Sequence, residues 1–118
     1  MADNKHDSPV VTTVRHAGDA AIVALRGEVD LHNSPVVRTA LLKLLEDKKP
    51  SRLVINLAEV PYVDSSAIAV LVEALQKMRK LGGKIYLVQL QPRVQGLLEI
   101  ARLDSIFVVT ATEADALK

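Results

Sequence analysis

Residues 53–83 read LVINLAEVPYVDSSAIAVLVEALQKMRKLGG and carry the strongest local structural signals in the chain. The run from Leu53 to Leu57 is apolar apart from Asn56, which is the pattern of a central strand covered on both faces. From Ser65 onward, apolar side chains recur at three- and four-residue steps, which predicts an amphipathic helix. Gly82-Gly83 supplies a left-handed stop for that helix. A buried strand followed by a helix is the unit of a parallel sheet with crossover helices.

Upstream of this stretch, the sequence predicts a hairpin and a helix. The runs 10–15 and 20–26 are rich in β-forming residues, with a Gly-Asp turn signal between them. Ser34 is predicted to cap a helix and Pro35 to take its first position, where a missing N–H costs nothing. This helix is amphipathic and is expected to end near Pro50.

Downstream, the predicted elements continue to alternate. The sequence favours a strand at 84–90, a helix opened by Pro92 and a last strand at 106–109. Thr110 with Glu113 is predicted to form a capping box for a short closing helix. The whole order therefore implies an α/β fold with a mixed, mostly parallel sheet of about five strands and about four helices.

Composition fits one soluble domain and disfavours several functions. Residues 1–8 are polar without a period and are predicted to form a disordered tail, which leaves 9–118 as the domain. Hydrophobic residues make up 49% and charged residues 25%, the usual mixture of a globular protein. The net charge of +1 and the presence of only three aromatic residues argue against nucleic-acid binding.

The features that the sequence lacks bear on the cellular location of the protein and on its cysteine chemistry. No apolar run is long enough to cross a bilayer, and the first residues lack the apolar core of a secretion signal. Without cysteine there is no disulfide framework and no thiolate metal site. We expect a cytoplasmic protein that does not insert into membranes.

Three short motifs together resemble the STAS domains, a family named after sulfate transporters and anti-sigma-factor antagonists. The motifs are Gly27-Glu28-Val29-Asp30 after the second strand, Val54-Ile55-Asn56-Leu57 in the central strand, and Asp64-Ser65-Ser66 at a helix start. Each is weak alone, but the combination is specific, and the resemblance spans roughly residues 10–117. The departure from the pattern is Ala67, where many members have Gly.

The resemblance to the anti-sigma-factor antagonist branch implies a phosphorylation switch at Ser65. In that branch the partner is an anti-sigma factor that is itself a serine kinase. The unphosphorylated protein would capture this kinase and release a sigma factor; phosphorylation would end the capture and a phosphatase would reset it. The resemblance implies no cofactor, and we expect a monomer. The residues expected to meet the partner are Glu28, Asp30, Asp64, Ser66 and Ala67.

Each of these residues also has a simpler interpretation. Ser65 or Asp64 could serve only as the cap of the helix, and acidic side chains are common in solvated turns.

Glu28, Asp30 and His32 lie on one side of an extended segment, as ligands of a metal would. The helix that follows and the lack of a second ligand cluster argue against a metal. For Ala67, a methyl group on the docking face could obstruct the close approach of a partner.

Two other classes of function stay open at this point. A STAS-like chain could be a subunit of a lipid-transport ABC complex or a stress-signalling scaffold, and Ala67 leaves room for this. An enzyme such as a nucleotide hydrolase has less support, because the sequence has neither a Gly-x-x-x-x-Gly-Lys-Ser/Thr loop nor a Gly-x-Ser-x-Gly elbow at Ser65. The sequence therefore favours a binding module that is not an enzyme.

Overall fold

The computed structural model describes residues 9–118, and the predicted tail at 1–8 lies outside the described residues. Within this range the helices and strands follow the predicted order. Their bounds are β1 Val11–Ala17, β2 Ala20–Arg26, α1 Ser34–Lys48, β3 Arg52–Glu59, α2 Ser65–Lys80, β4 Lys84–Val88, α3 Pro92–Ile100, β5 Val108–Thr110 and α4 Glu113–Leu117. None of the helices in this range is both long and apolar enough to span a bilayer.

The five strands form one mixed sheet in the order β1-β2-β3-β4-β5. β1 pairs with β2 antiparallel, and the other neighbours are parallel. β3 is therefore central, as its apolar run predicts. Ile55 packs toward α1, α2 and α3 on one face of the sheet, while Val54 packs toward Ala116 of α4 on the other. Burial on both faces explains why the run is apolar without alternation.

Two predicted helix starts are wrong in detail. Ser34 is not the cap of α1: it is the first helical residue and is buried, while Asn33 occupies the cap position. The side chain of Asn33 instead holds the preceding loop, because its Oδ1 accepts from Asp30 N (2.8 Å) and its Nδ2 donates to Glu28 O (2.8 Å). Pro35 consequently follows the first helical position rather than occupying it.

At the C-terminal end, the predicted capping box is displaced by two residues. Thr112, not Thr110, caps α4, and its hydroxyl accepts from Asp115 N at 3.1 Å. Thr110 belongs to β5, which begins two residues later than predicted. The delay arises because the chain is still turning after α3, with Phe107 N donating to Leu103 O (3.2 Å).

Candidate partner-docking site

Two loops meet at the edge of the sheet where the parallel strands have their carboxyl ends. Residues 27–33 follow β2, and residues 60–64 follow β3. Val29 and Val63 form a parallel bridge between these loops, flanked by hydrogen bonds from Val29 N to Tyr62 O (3.0 Å) and from Asp64 N to Val29 O (3.1 Å). The structure therefore brings together two of the segments that the sequence singles out.

Asp64 is the residue that joins this loop pair to α2. It occupies the N-cap position, and its Oδ1 accepts from Ser66 N (2.9 Å), Ala67 N (3.1 Å) and Ser66 Oγ (2.5 Å). Its Oδ2 accepts from Leu31 N (3.0 Å) in the neighbouring loop. One carboxylate thus caps the helix and fixes the loop after β2 against it.

These contacts keep the Asp64 carboxylate ionised. The hydroxyl of Ser66 lowers the pKa of Asp64 most, and the backbone N–H groups of Ala67, Leu31 and Ser66 lower it further, against an opposing effect of desolvation. A negative charge consequently stands beside the start of α2 at neutral pH.

Ser65 is the first residue of α2 and is exposed. Within residues 9–118 its hydroxyl has no hydrogen-bond partner, whereas the hydroxyl of Ser66 is bound to Asp64. Of the two capping interpretations, the structure therefore supports Asp64. The first turn of a helix carries positive partial charge, which favours an anion such as a phosphate. Ser65 thus combines an exposed hydroxyl with a local field that favours a nearby anion.

The loop after β2 carries two acidic side chains, one exposed and one hydrogen-bonded to its own loop. Glu28 is exposed, while Asp30 is half-buried and its Oδ1 accepts from His32 N (2.9 Å) and Asn33 N (3.2 Å). Within residues 9–118 no three His, Asp or Glu side chains lie close enough together to hold a metal ion. The loop is therefore an ordered acidic surface beside α2. We call the surface of Glu28, Asp30, Leu31 and Ser65 the serine edge.

Sequence reasoning missed two exposed apolar side chains at this end of the molecule. Leu31, in the loop after β2, is 75% exposed, and Val36, in the first turn of α1, is 56% exposed. The signal was present in the sequence, because Leu31 stands alone between acidic and polar neighbours and Val36 lies off the stripe that contains Val37. Single exposed apolar side chains are common on protein surfaces. Leu31 is of interest because its backbone N–H is bound to Asp64, which places it beside the start of α2.

Ala67 does not stand on the docking face, and that expectation is wrong. Its exposure is 2%, and it lies among Leu57, Val63 and Leu71 on the inward side of α2. Its methyl group therefore packs into the core between the helix and the sheet. The methyl group of Ala67 is therefore not part of the exposed surface at the serine edge.

The fold and this edge define a small α/β domain whose candidate site is an open surface with an exposed serine hydroxyl. The STAS domain family matches residues 11–116. The chain therefore belongs to the STAS domain family.

Several characterised proteins are similar to this chain over most of its length. It is 34% identical over 89 residues to the anti-sigma-B factor antagonist of Bacillus subtilis (strain 168), a match that covers 75% of this chain and 80% of that protein. It is 27% identical over 104 residues to the anti-sigma F factor antagonist of Paenibacillus polymyxa, with coverage of 88% and 89%. The crystal structure of an anti-sigma factor antagonist from Mycobacterium paratuberculosis matches with a TM-score of 0.81 at 27% identity, over 89% of this chain and 88% of that one.

Proposed function

We propose that this protein is an anti-sigma factor antagonist that binds an anti-sigma factor kinase and so frees a sigma factor. The observation that carries the proposal is the exposed Ser65 hydroxyl, which has no hydrogen-bond partner within residues 9–118 and stands at the start of a helix already capped by Asp64. The similar proteins are named as antagonists of anti-sigma factors, which supports an anti-sigma factor as the partner. The protein acts by contact, as a cytoplasmic monomer.

The serine edge suits a protein partner better than a small ligand. It is an open surface with acidic side chains around an exposed Leu31. Full burial of a leucine side chain contributes about 1.5–3 kcal/mol, so Leu31 can anchor an interface whose rim is polar. Glu28 and Asp30 then favour a partner with basic groups opposite them.

Phosphorylation of Ser65 ends this contact. The bound kinase transfers the γ-phosphoryl group of ATP to Ser65 Oγ, while the hydroxyl proton passes to a base of the kinase and ADP leaves. The product carries about −1.5 to −2 added charge beside ionised Asp64. The positive end of α2 accommodates that charge, so the fold survives. The interface is lost, because repulsion between like charges and the cost of desolvation oppose close packing with the partner. A phosphatase then removes the phosphate and restores the hydroxyl.

The alternative function, a subunit of a lipid-transport ABC complex or a stress-signalling scaffold, depended on Ala67 as a change of surface. Because Ala67 is 2% exposed, that ground for the alternative is removed. The proposed role also needs no catalysis by this chain, since the chemistry at Ser65 belongs to the kinase.

Capture from the native cell tests the proposal. We expect Ser65→Ala bait to retain a serine kinase of the anti-sigma factor class, identified by mass spectrometry. Incubation of wild-type protein with that kinase and ATP should place one phosphate on Ser65. Ser66→Ala is the matched control and should still be phosphorylated. Recovery of a transport ATPase with its permease, or phosphate on Ser66, would contradict the proposal.

A further inference from the structure

A third loop adjoins the serine edge on the side away from β2. This loop follows β4 and leads into α3. Gln91 Nε2 donates to Ala58 O at 2.8 Å, and the guanidinium carbon of Arg93 lies 4.6 Å from the centroid of the Tyr62 ring. The first contact joins the N-cap of α3 to the end of β3, and the second joins the first turn of α3 to the segment between β3 and α2. Because β2, β3 and β4 are parallel neighbours, the three loops lie in a row along one edge of the sheet.

Charge changes sign along this row. Glu28 and Asp30 lie at the β2 end, the ionised Asp64 lies in the middle, and Arg93 lies at the β4 end. Within residues 9–118, Arg93 has no carboxylate at ion-pair distance, in contrast to the paired arginines, which are Arg15, Arg26 and Arg38. Its charge is thus held over an aromatic ring and exposed to solvent, without neutralisation by a neighbour.

Such a guanidinium is well suited to contact a partner. Stacking on Tyr62 restricts the long side chain before binding, so less freedom is lost when a partner arrives. Arginine is also among the residues that dominate binding energy in interfaces, where its fork-shaped donors match a carboxylate.

We infer that Arg93 extends the docking surface across β4 and binds a carboxylate of the anti-sigma factor kinase. This inference rests on the proposed function. The partner then presents basic groups toward Glu28 and Asp30 and an acidic group toward Arg93. A partner rotated by about 180° on this surface would place like charges opposite each other at both ends. The order of charges along the three loops therefore specifies the orientation of docking.

Calorimetry with the kinase captured by Ser65→Ala tests Arg93 directly. We expect Arg93→Gln to weaken binding about tenfold, Arg93→Glu to weaken it further, and Arg93→Lys to lie between wild type and Arg93→Gln. Tyr62→Phe keeps the ring and should bind as wild type, whereas Tyr62→Leu loses the stack and should bind more weakly. The matched control is Arg79→Gln, because Arg79 is exposed in the last turn of α2, at the opposite end of the strands.

A charge-reversal experiment distinguishes a direct pair from an indirect effect. Acidic residues of the kinase are changed to Lys one at a time, and one of them should restore binding to Arg93→Glu. Failure of every such change to restore binding would overturn the direct pair. Thermal melts of each variant verify folding.

Two further outcomes separate this inference from the proposed function. If Arg93→Gln binds as tightly as Arg79→Gln while Ser65→Asp loses affinity, the inference about Arg93 is wrong and the proposed function stands. If Ser65→Ala captures no kinase of this class, both are overturned.

Discussion

Replacement of Ala67 by Gly is expected to lower the free energy of unfolding by about 1.5–2 kcal/mol while leaving the affinity for the partner unchanged. The first contribution is helix propensity, since Gly is about 1 kcal/mol less favourable than Ala within a helix. The second is the buried methyl group, because a residue that is 2% exposed among Leu57, Val63 and Leu71 loses about 0.8 kcal/mol of burial. The partner is unaffected because the methyl group faces the core.

Urea unfolding followed by circular dichroism measures this change in the free energy of unfolding. The slope of that free energy against urea concentration should be the same for variant and wild type, because only then are the two stabilities directly comparable. Ala69→Gly is the matched control, because Ala69 is exposed in the same helix and its loss costs only the propensity of about 1 kcal/mol. If Ala67→Gly were no more destabilising than Ala69→Gly, the methyl group would not be in the core. Tighter binding of the partner by Ala67→Gly would show that the methyl group does obstruct docking.

Three other predictions concern pH, the core and catalysis. Arg15 first and Asn56 second lower the pKa of Glu113 by hydrogen bonding, so its contribution to stability is complete at neutral pH and is lost as the pH falls through its folded pKa. Glu113→Gln should therefore lose less stability than wild type when urea unfolding is repeated from pH 7 to pH 3, and identical pH profiles would contradict the ion pair. In hydrogen exchange, amides 55–57 should open only near global unfolding, and exchange at the rate of an unstructured peptide would exclude β3 from the core. Purified protein should not hydrolyse ATP, GTP or simple esters, and a rate that vanished in Ser65→Ala would restore the enzyme alternative.

The sequence predicts the order of helices and strands because each element has its own local spacing of apolar residues. The run in β3 needs burial on both faces, and Gly82 takes the positive φ that its place after α2 requires. Asp64 and Ser65 are likewise found by a local signal, the change from strand to helix. The family resemblance then directs attention to the Ser65 hydroxyl, which the structure shows to be exposed.

Small residues explain why the inward face of α2 was only partly predicted. The three- and four-residue spacing of large apolar side chains includes Ile68 and Val72, which are only partly buried, whereas Ala67 and Ala74 are fully buried. Alanine contributes little to a hydrophobic pattern, so the centre of the buried stripe cannot be located from the sequence alone. Only packing against the sheet shows which alanines face inward.

Contacts between distant segments were outside the reach of local patterns. The stack of Arg93 on Tyr62 joins the first turn of α3 to the loop after β3, and the hydrogen bond that Leu31 N donates to Asp64 joins the loops after β2 and β3. Neither pair has a spacing that marks it. Both depend on the strand order of the sheet, which brings the three loops to one edge.

Calorimetry of the captured kinase with wild type, Ser65→Ala and Ser65→Asp measures whether the charge at Ser65 controls docking. Because Asp64 rather than Ser65 caps α2, both variants should fold, and thermal melts verify this. We expect Ser65→Ala to bind as wild type and Ser65→Asp to bind at least about tenfold more weakly, a loss of about 1.4 kcal/mol. Aspartate carries less charge than phosphate, so this loss is a lower bound on the switch. Equal affinities for all three proteins would contradict the account, because Ser65 would then have no part in docking.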